Sequence, residues 1–136
     1  MSDTVLYTGK THTTSGREGS ARSSDGALDV RLSSPGSNRP GTNPEQLFAA
    51  GWSACFLSAI GLAASERKLR LGADASVDAE VDLVMGDNGY ALAARLHVSL
   101  PGVDRDVAAA LVEAAHRTCP YSKAIHGNIA VQTTLA

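Results

Sequence analysis

Leu47-Phe48-Ala49-Ala50-Gly51-Trp52-Ser53-Ala54-Cys55-Phe56 opens a run, from Leu47 to Ser65, that contains no charged residue. Just ahead of it, Thr42-Asn43-Pro44-Glu45-Gln46 supplies a capping residue, a proline suited to the first helical position and an acid for the first turn. A long helix starts there. Its end is expected between Glu66 and Leu71, where Arg67, Lys68 and Arg70 suit the negative end of the helix dipole and Gly72 can stop the coil. The run is nearly long enough to span a bilayer, but Ala, Gly and Ser dominate it where a span would use Leu and Ile, so a membrane segment is rejected. The remaining reading is a helix buried round most of its circumference, with small residues that let other backbones approach closely. A chain of 136 residues has little material to cover such a helix on all sides, which points to a second subunit.

Upstream, Val5 to Thr14 and Gly19 to Ser24 read as short strands, and the Asp25-Gly26 turn leads into Ala27 to Leu32, where Leu28, Val30 and Leu32 alternate with polar residues. This is an antiparallel meander, followed by a Pro/Gly/Ser/Asn loop from Ser33 to Gly41. Downstream, Val77, Ala79, Val81, Leu83 and Met85 alternate with Asp78, Glu80 and Asp82. After the turn Gly86-Asp87-Asn88-Gly89, a second long strand alternates Leu92, Ala94, Leu96, Val98 and Leu100 with Ala93, Arg95, His97 and Ser99. Asp104 or Asp106 opens an amphipathic helix with Val107, Leu111, Ala115 and Thr118 near the core, and Pro120 closes it. A short helical turn over Ser122 to His126 and a strand from Ile129 to Leu135 complete the order. With no regular βαβ alternation, the expected class is α+β with antiparallel sheet, in one domain over residues 1–136.

The net charge of −2, with acids and bases interspersed, leaves no basic patch, and 4% aromatic residues offer few platforms for stacking bases. Nucleic acid is not an expected partner. Met1-Ser2-Asp3-Thr4 shows no cationic stretch leading into an apolar one, so a cytoplasmic, reducing location is expected. His12, His97, His116 and His126 have no metal-ligand spacing with the cysteines, and no metal is expected.

The chain has two cysteines, and two readings stand open for them: small core residues, or a nucleophile and its resolving partner. A transient disulfide is compatible with a reducing compartment where a permanent one is not. Cys55 lies about ten residues inside its helix, beyond the reach of the helix N-terminal field, so its thiolate needs another source of positive charge. Cys119 follows the cationic turn His116-Arg117 at a Pro-defined break, where greater mobility and access are expected.

Gly41-Thr42-Asn43-Pro44-Glu45-Gln46-Leu47-Phe48-Ala49-Ala50-Gly51-Trp52-Ser53-Ala54-Cys55-Phe56, together with His116-Arg117-Thr118-Cys119-Pro120-Tyr121-Ser122, closely resembles the organic hydroperoxide resistance proteins of the OsmC/Ohr family. The resemblance extends to Gly16-Arg17-Glu18-Gly19, to Ser23-Ser24-Asp25-Gly26-Ala27-Leu28-Asp29-Val30 and to Gly127-Asn128-Ile129, so it covers essentially the whole chain in order. It implies an OsmC-like fold, with antiparallel sheets packed around a long buried central helix, in an intertwined homodimer with active sites at the subunit interface. It implies that Cys55 is the peroxidatic residue, oxidised by an organic hydroperoxide to a sulfenic acid, and that Cys119 resolves that acid into a disulfide. The family's activating arginine falls on Arg17, which supplies the charge that the helix position cannot, and its orienting acid falls on Glu45. No bound cofactor is implied. The external reductant is implied to be a dihydrolipoyl dithiol on a lipoylated protein.

Ten residues of continuous helix put Glu45 roughly 15 Å along the axis from Cys55, too far for both to meet one Arg17 readily within a single subunit. Either the helix breaks near Gly51, or residues of two chains meet. Phe48, Trp52 and Phe56, with Leu47, Leu57 and Ile60, are available to line an apolar pocket that favours alkyl or fatty-acid hydroperoxides over hydrogen peroxide. Trp52 stands where the family more usually has tyrosine, Lys123 and His126 differ from common neighbours of the second cysteine, and the Ser33 to Gly41 loop looks short. Two rival readings share the residues: the less selective, osmotically induced peroxidases of the sibling OsmC branch, and a non-enzymatic redox sensor or small-ligand binding module. The Phe48-Ala49-Ala50-Gly51 and Cys119-Pro120-Tyr121-Ser122 wording favours the organic-peroxide branch, and no DNA-reading segment accompanies the domain.

Overall fold

The structure, a computed structural model, describes residues 3–136; Met1 and Ser2, which head the stretch read above for a leader, lie outside the described residues. The chain divides into two compact units, Met1–Pro44 and Glu45–Ala136.

In the first unit, β1 (Thr11–Thr14), β2 (Ser20–Ser23) and β3 (Asp29–Arg31) form the expected antiparallel meander in the order β1-β2-β3. The β2–β3 turn is closed by side chains: Ser23 Oγ donates to Asp25 at 2.6 Å, and Asp25 accepts the Ala27 N–H at 3.0 Å. These bonds hold the Asp25 carboxyl below its ordinary range, the Ser23 bond contributing most. The strand expected from Val5 begins only at Thr11, because Thr11 already pairs with Ser23, the last residue of β2. The Lys10 carbonyl still accepts the Ser24 N–H at 3.0 Å, but residues 5–10 form no strand, and Val5, Leu6 and Tyr7 are exposed.

The second unit is built on α1 (Pro44–Glu66), which begins at the proline that the sequence marks and runs without a break past Gly51. The helix ends at Glu66, within the expected Glu66 to Leu71, but the stop is made by Lys68 and not by Gly72. Leu69 N–H reaches back to the Ala64 carbonyl and Lys68 N–H to that of Ser65, a Schellman closure with Lys68 at the left-handed position, φ 60°. A lysine held there carries a steric penalty that glycine avoids. Lys68→Gly is therefore expected to stabilise the chain by about 0.5–1 kcal/mol, read as a higher midpoint in urea unfolding. An unchanged or lower midpoint would contradict this account of the helix end.

A hairpin of β4 (Ser76–Gly86) and β5 (Gly89–Ser99) follows, then α2 (Arg105–Thr118), α3 (Pro120–Ile125) and β6 (Ala130–Leu135). The sheet order is β4-β5-β6, and here the antiparallel expectation is corrected: β5 and β6 pair in parallel. The reason is the crossover. The α2–α3 segment carries the chain back along the sheet before β6 begins, which is the kind of connection a parallel pair requires.

The core gathers Trp52, Phe56, Ala59, Ile60 and Ala64 of α1 with Ala94, Leu96 and Val98 of β5 and Ala108, Leu111, Val112 and Ala115 of α2. By length and composition α1 is apolar enough to cross a membrane, but here it is the core helix of this unit. Between Leu47 and Ala64 the helix is buried or partly buried round most of its circumference, as expected, and a single stripe along Ala50, Ala54, Ser58 and Leu62 is exposed. The β4-β5-β6 sheet, α2 and α3 pack against the rest of α1 and leave this stripe uncovered within the unit.

Candidate active site

Burial on α2 recurs at Ala108, Leu111, Val112 and Ala115, and the next position of that stripe is Cys119. Cys119 is completely buried, whereas Cys55 is partly exposed. This reverses the expectation that the Pro120 break would make Cys119 the more accessible thiol. Its backbone is held on both sides, Cys119 N–H donating to the Ala115 carbonyl at 2.8 Å and the Cys119 carbonyl accepting from Lys123 N–H at 3.0 Å. Thr118, expected near the core, is instead exposed and bonds back to the Ala114 carbonyl at 3.2 Å.

The two sulfurs lie 3.3 Å apart, both cysteines being free. A disulfide needs about 2.05 Å, so a shift of little more than 1 Å joins them. Burial pushes the Cys55 thiol above its ordinary value, the Cys119 thiol beside it adds to this, and the Tyr121 backbone N–H pulls it part of the way back. The unit that holds both cysteines therefore gives Cys55 a neutral thiol, in keeping with the need for an outside cation.

Around the pair, Phe48 rests against Trp52, ring centroids 5.7 Å apart, and meets Tyr121 edge-on at 6.3 Å. Gly51 permits this approach, since a Cβ there would lie 3.3 Å from the Tyr121 hydroxyl. Trp52 and Phe56 are completely buried and Phe48 only partly so. The Trp52 indole N–H donates to Ser122 Oγ at 3.0 Å, and Ser122 Oγ lies 3.1 Å from His116 Nδ1. His116 Nε2 lies 2.9 Å from Thr133 Oγ1. Because the indole can only donate, the Ser122 hydroxyl proton is left for Nδ1, and Nε2–H then donates to Thr133. Burial, and then the charge of His126, push His116 below its ordinary value. So His116 is a half-buried residue that favours its neutral form, and the cationic turn read beside Cys119 reduces to Arg117, which faces Glu113 at 3.5 Å on the exposed side.

Trp52, His116 and Ser122 also line a cavity of roughly 200 Å³ with Ile125, His126 and Ile129. The sequence reading missed the roles of Ser122 and His116. Their signal was present in the i, i+3 spacing of Cys119 and Ser122, but the partner residue Trp52 is 70 positions away.

Arg17 belongs to the first unit, on the 3₁₀ turn Gly16–Glu18. Gly16 has φ 57°, and a Cβ at Gly19 would lie 1.8 Å from the Thr14 carbonyl oxygen, so the Gly-Arg-Glu-Gly wording is what this turn requires. Glu18 ties the turn to the following loop through Arg39 and Ser34. Glu45 lies in the first turn of α1. Since α1 is continuous, the alternative of a break near Gly51 is removed. Among the described residues no three His, Cys, Asp or Glu side chains gather as a metal set.

The family profile described as OsmC-like protein matches residues 35–134. The organic hydroperoxide resistance protein of Xanthomonas axonopodis pv. citri is 46% identical over 136 residues, covering 97% of this chain and 96% of its own. The crystal structure of the organic hydroperoxide resistance protein OhrB of Bacillus subtilis superposes with a TM-score of 0.92 at 39% identity, covering 97% of this chain and all of that one. An OsmC-like protein of Mycoplasma pneumoniae shares the fold alone, with a TM-score of 0.74 at 16% identity and coverage of 97% and 99%. The α+β fold, the paired cysteines and this level of identity agree: the chain belongs to the organic hydroperoxide resistance proteins of the OsmC/Ohr family.

Proposed function

We propose that the chain is a thiol peroxidase that reduces alkyl and fatty-acid hydroperoxides to alcohols. The observation that carries this reading is the 3.3 Å approach of Cys55 Sγ and Cys119 Sγ in a unit that offers neither thiol another bonding partner of its kind. In the first step the Cys55 thiolate attacks the distal peroxide oxygen. A sulfur–oxygen bond forms, the oxygen–oxygen bond breaks, and the alkoxide leaves with a proton as the alcohol, giving a sulfenic acid. The Cys119 sulfur then attacks Cys55, and the hydroxyl leaves with the Cys119 proton as water. An external dithiol of the dihydrolipoyl type, on a lipoylated protein, reduces the disulfide.

Arg17 holds the thiolate and the peroxide oxygens, and Glu45 orients Arg17 through a bidentate pair. The unbroken α1 supports a site shared between two chains, in which Arg17 and Glu45 come from the partner subunit relative to Cys55. The exposed stripe Ala50, Ala54, Ser58 and Leu62 and the exposed Leu83, Met85 and Tyr90 at the tip of the β4–β5 hairpin support the homodimer. Half-buried Phe48, backed by the buried Trp52 and Phe56, supplies the apolar wall beside the thiol, which suits an organic substrate better than hydrogen peroxide. A cytoplasmic location completes the reading.

Single turnover of a cumene-type hydroperoxide against hydrogen peroxide tests this. The wild type is expected to lose two thiols for each alcohol formed, and to do so faster with the organic substrate. Cys119→Ser is expected to complete the first turnover near the wild-type rate, to accumulate a trappable sulfenic acid and to stop cycling with a lipoyl dithiol. Undiminished cycling in Cys119→Ser would remove Cys119 from the scheme.

A further inference from the structure

We propose that Ser122 is a positioning residue for the resolving cysteine. Clamped between the Trp52 indole and His116, it fixes the α2–α3 junction so that Cys119 is held within bonding reach of Cys55. The inference rests on the thiol-couple reading and adds a residue to it.

Cys119 caps α3, a helix of six residues. So short a helix has little stability of its own and takes its position from what it packs against. The side-chain hydrogen bond between α3 and α1 is that of Ser122 to Trp52. Trp52 precedes Cys55 by three residues on α1, and Ser122 follows Cys119 by three across the start of α3. Residues three apart on a helix share a face. The two elements therefore meet at two rungs: sulfur to sulfur at 3.3 Å, and indole nitrogen to hydroxyl at 3.0 Å. Only the first rung changes chemically through the cycle. The second persists, and it sets the separation of the first.

His116 completes the clamp from α2. By taking the Ser122 hydroxyl proton on Nδ1 while Nε2–H donates to Thr133 of β6, it locks the serine rotamer that faces the indole. Ser122 is buried, so a methyl in its place leaves the indole N–H and Nδ1 without their partner.

In forming the disulfide, two thiols give up two electrons and two protons to an oxidant. Where that oxidant is a cyclic disulfide such as oxidised dithiothreitol, the exchange constant measures how well the protein holds its thiols together. Ser122→Ala is expected to lower that constant about tenfold relative to wild type, which is about 30 mV for this two-electron couple. Ser122→Thr keeps the hydroxyl, and the cavity beside Ser122 admits the extra methyl, so it is expected to restore the wild-type constant. Trp52→Phe keeps a ring and deletes the N–H, and is expected to lower the constant about threefold, the worth of one neutral hydrogen bond.

Equal constants for wild type and a folded Ser122→Ala overturn the proposal. Should that variant fail to fold, a wild-type constant in Trp52→Phe overturns it instead. The exchange uses no peroxide, so failure of the peroxidase reading shows as lost hydroperoxide consumption by the wild type, and failure of this proposal as equal exchange constants.

Discussion

Cys55→Ser is expected to abolish consumption of organic hydroperoxide, with a loss of at least about three orders of magnitude in the first turnover. Sulfur is the atom that accepts oxygen in this scheme, and a serine hydroxyl is neither ionised near neutral pH nor able to form a comparable oxygen adduct. The replacement is nearly isosteric at a partly exposed position, so the fold is expected to persist with an unfolding midpoint close to that of the wild type. Cys119 is then the sole thiol, completely buried in the α2 stripe, and cannot substitute for Cys55 without opening the core. Anaerobic mixing with a stoichiometric cumene-type hydroperoxide, followed by assay of the alcohol, measures the effect. Alcohol formation at the wild-type rate would sink the mechanism.

Arg17→Ala is expected to lower the rate about 10²-fold near pH 7, because an ordinary thiol is only a few per cent ionised there. In the unit that carries it, Cys55 is shifted upward by burial first and by the adjacent thiol second. A thiol with a raised pKa is neutral at lower pH and becomes reactive as pH rises through that value. Without Arg17 the rate is thus expected to climb about tenfold per pH unit beyond pH 8, whereas the wild-type profile levels off well below that. A wild-type rate and profile in Arg17→Ala would show that the cation comes from elsewhere.

The same variant tests which chain supplies the arginine. Mixed dimers of Arg17→Ala with Cys55→Ser hold one intact site if Arg17 reaches the partner's Cys55, and none if it serves its own chain. Random re-association is then expected to restore about a quarter of the wild-type activity. No restoration would place Arg17 and Cys55 in one chain's site.

Much of this was legible along the chain because local chemistry determined it. Pro44 and the uncharged run after it defined the start of α1, alternation defined β4 and β5, and the wording around Cys55, Cys119, Arg17 and Glu45 identified the family. Local pattern could not say that Lys68, ahead of Gly72, takes the left-handed turn at the helix end, because closure depends on which carbonyls the next amides can reach. Nor could it say that β6 lies parallel to β5, since that follows from the path of the crossover between them.

The sequence by itself determined that two thiols exist, that one sits deep in an apolar helix, and that the helix position lends it no charge. Only the tertiary structure decided that Cys119 is the more buried of the two, that its sulfur stands 3.3 Å from that of Cys55, and that Trp52, Ser122 and His116 link the elements that carry them. The physical reason is that burial and separation are set by residues 64 and 70 positions apart in the chain, whose meeting depends on how α1, α2 and α3 pack rather than on any local pattern.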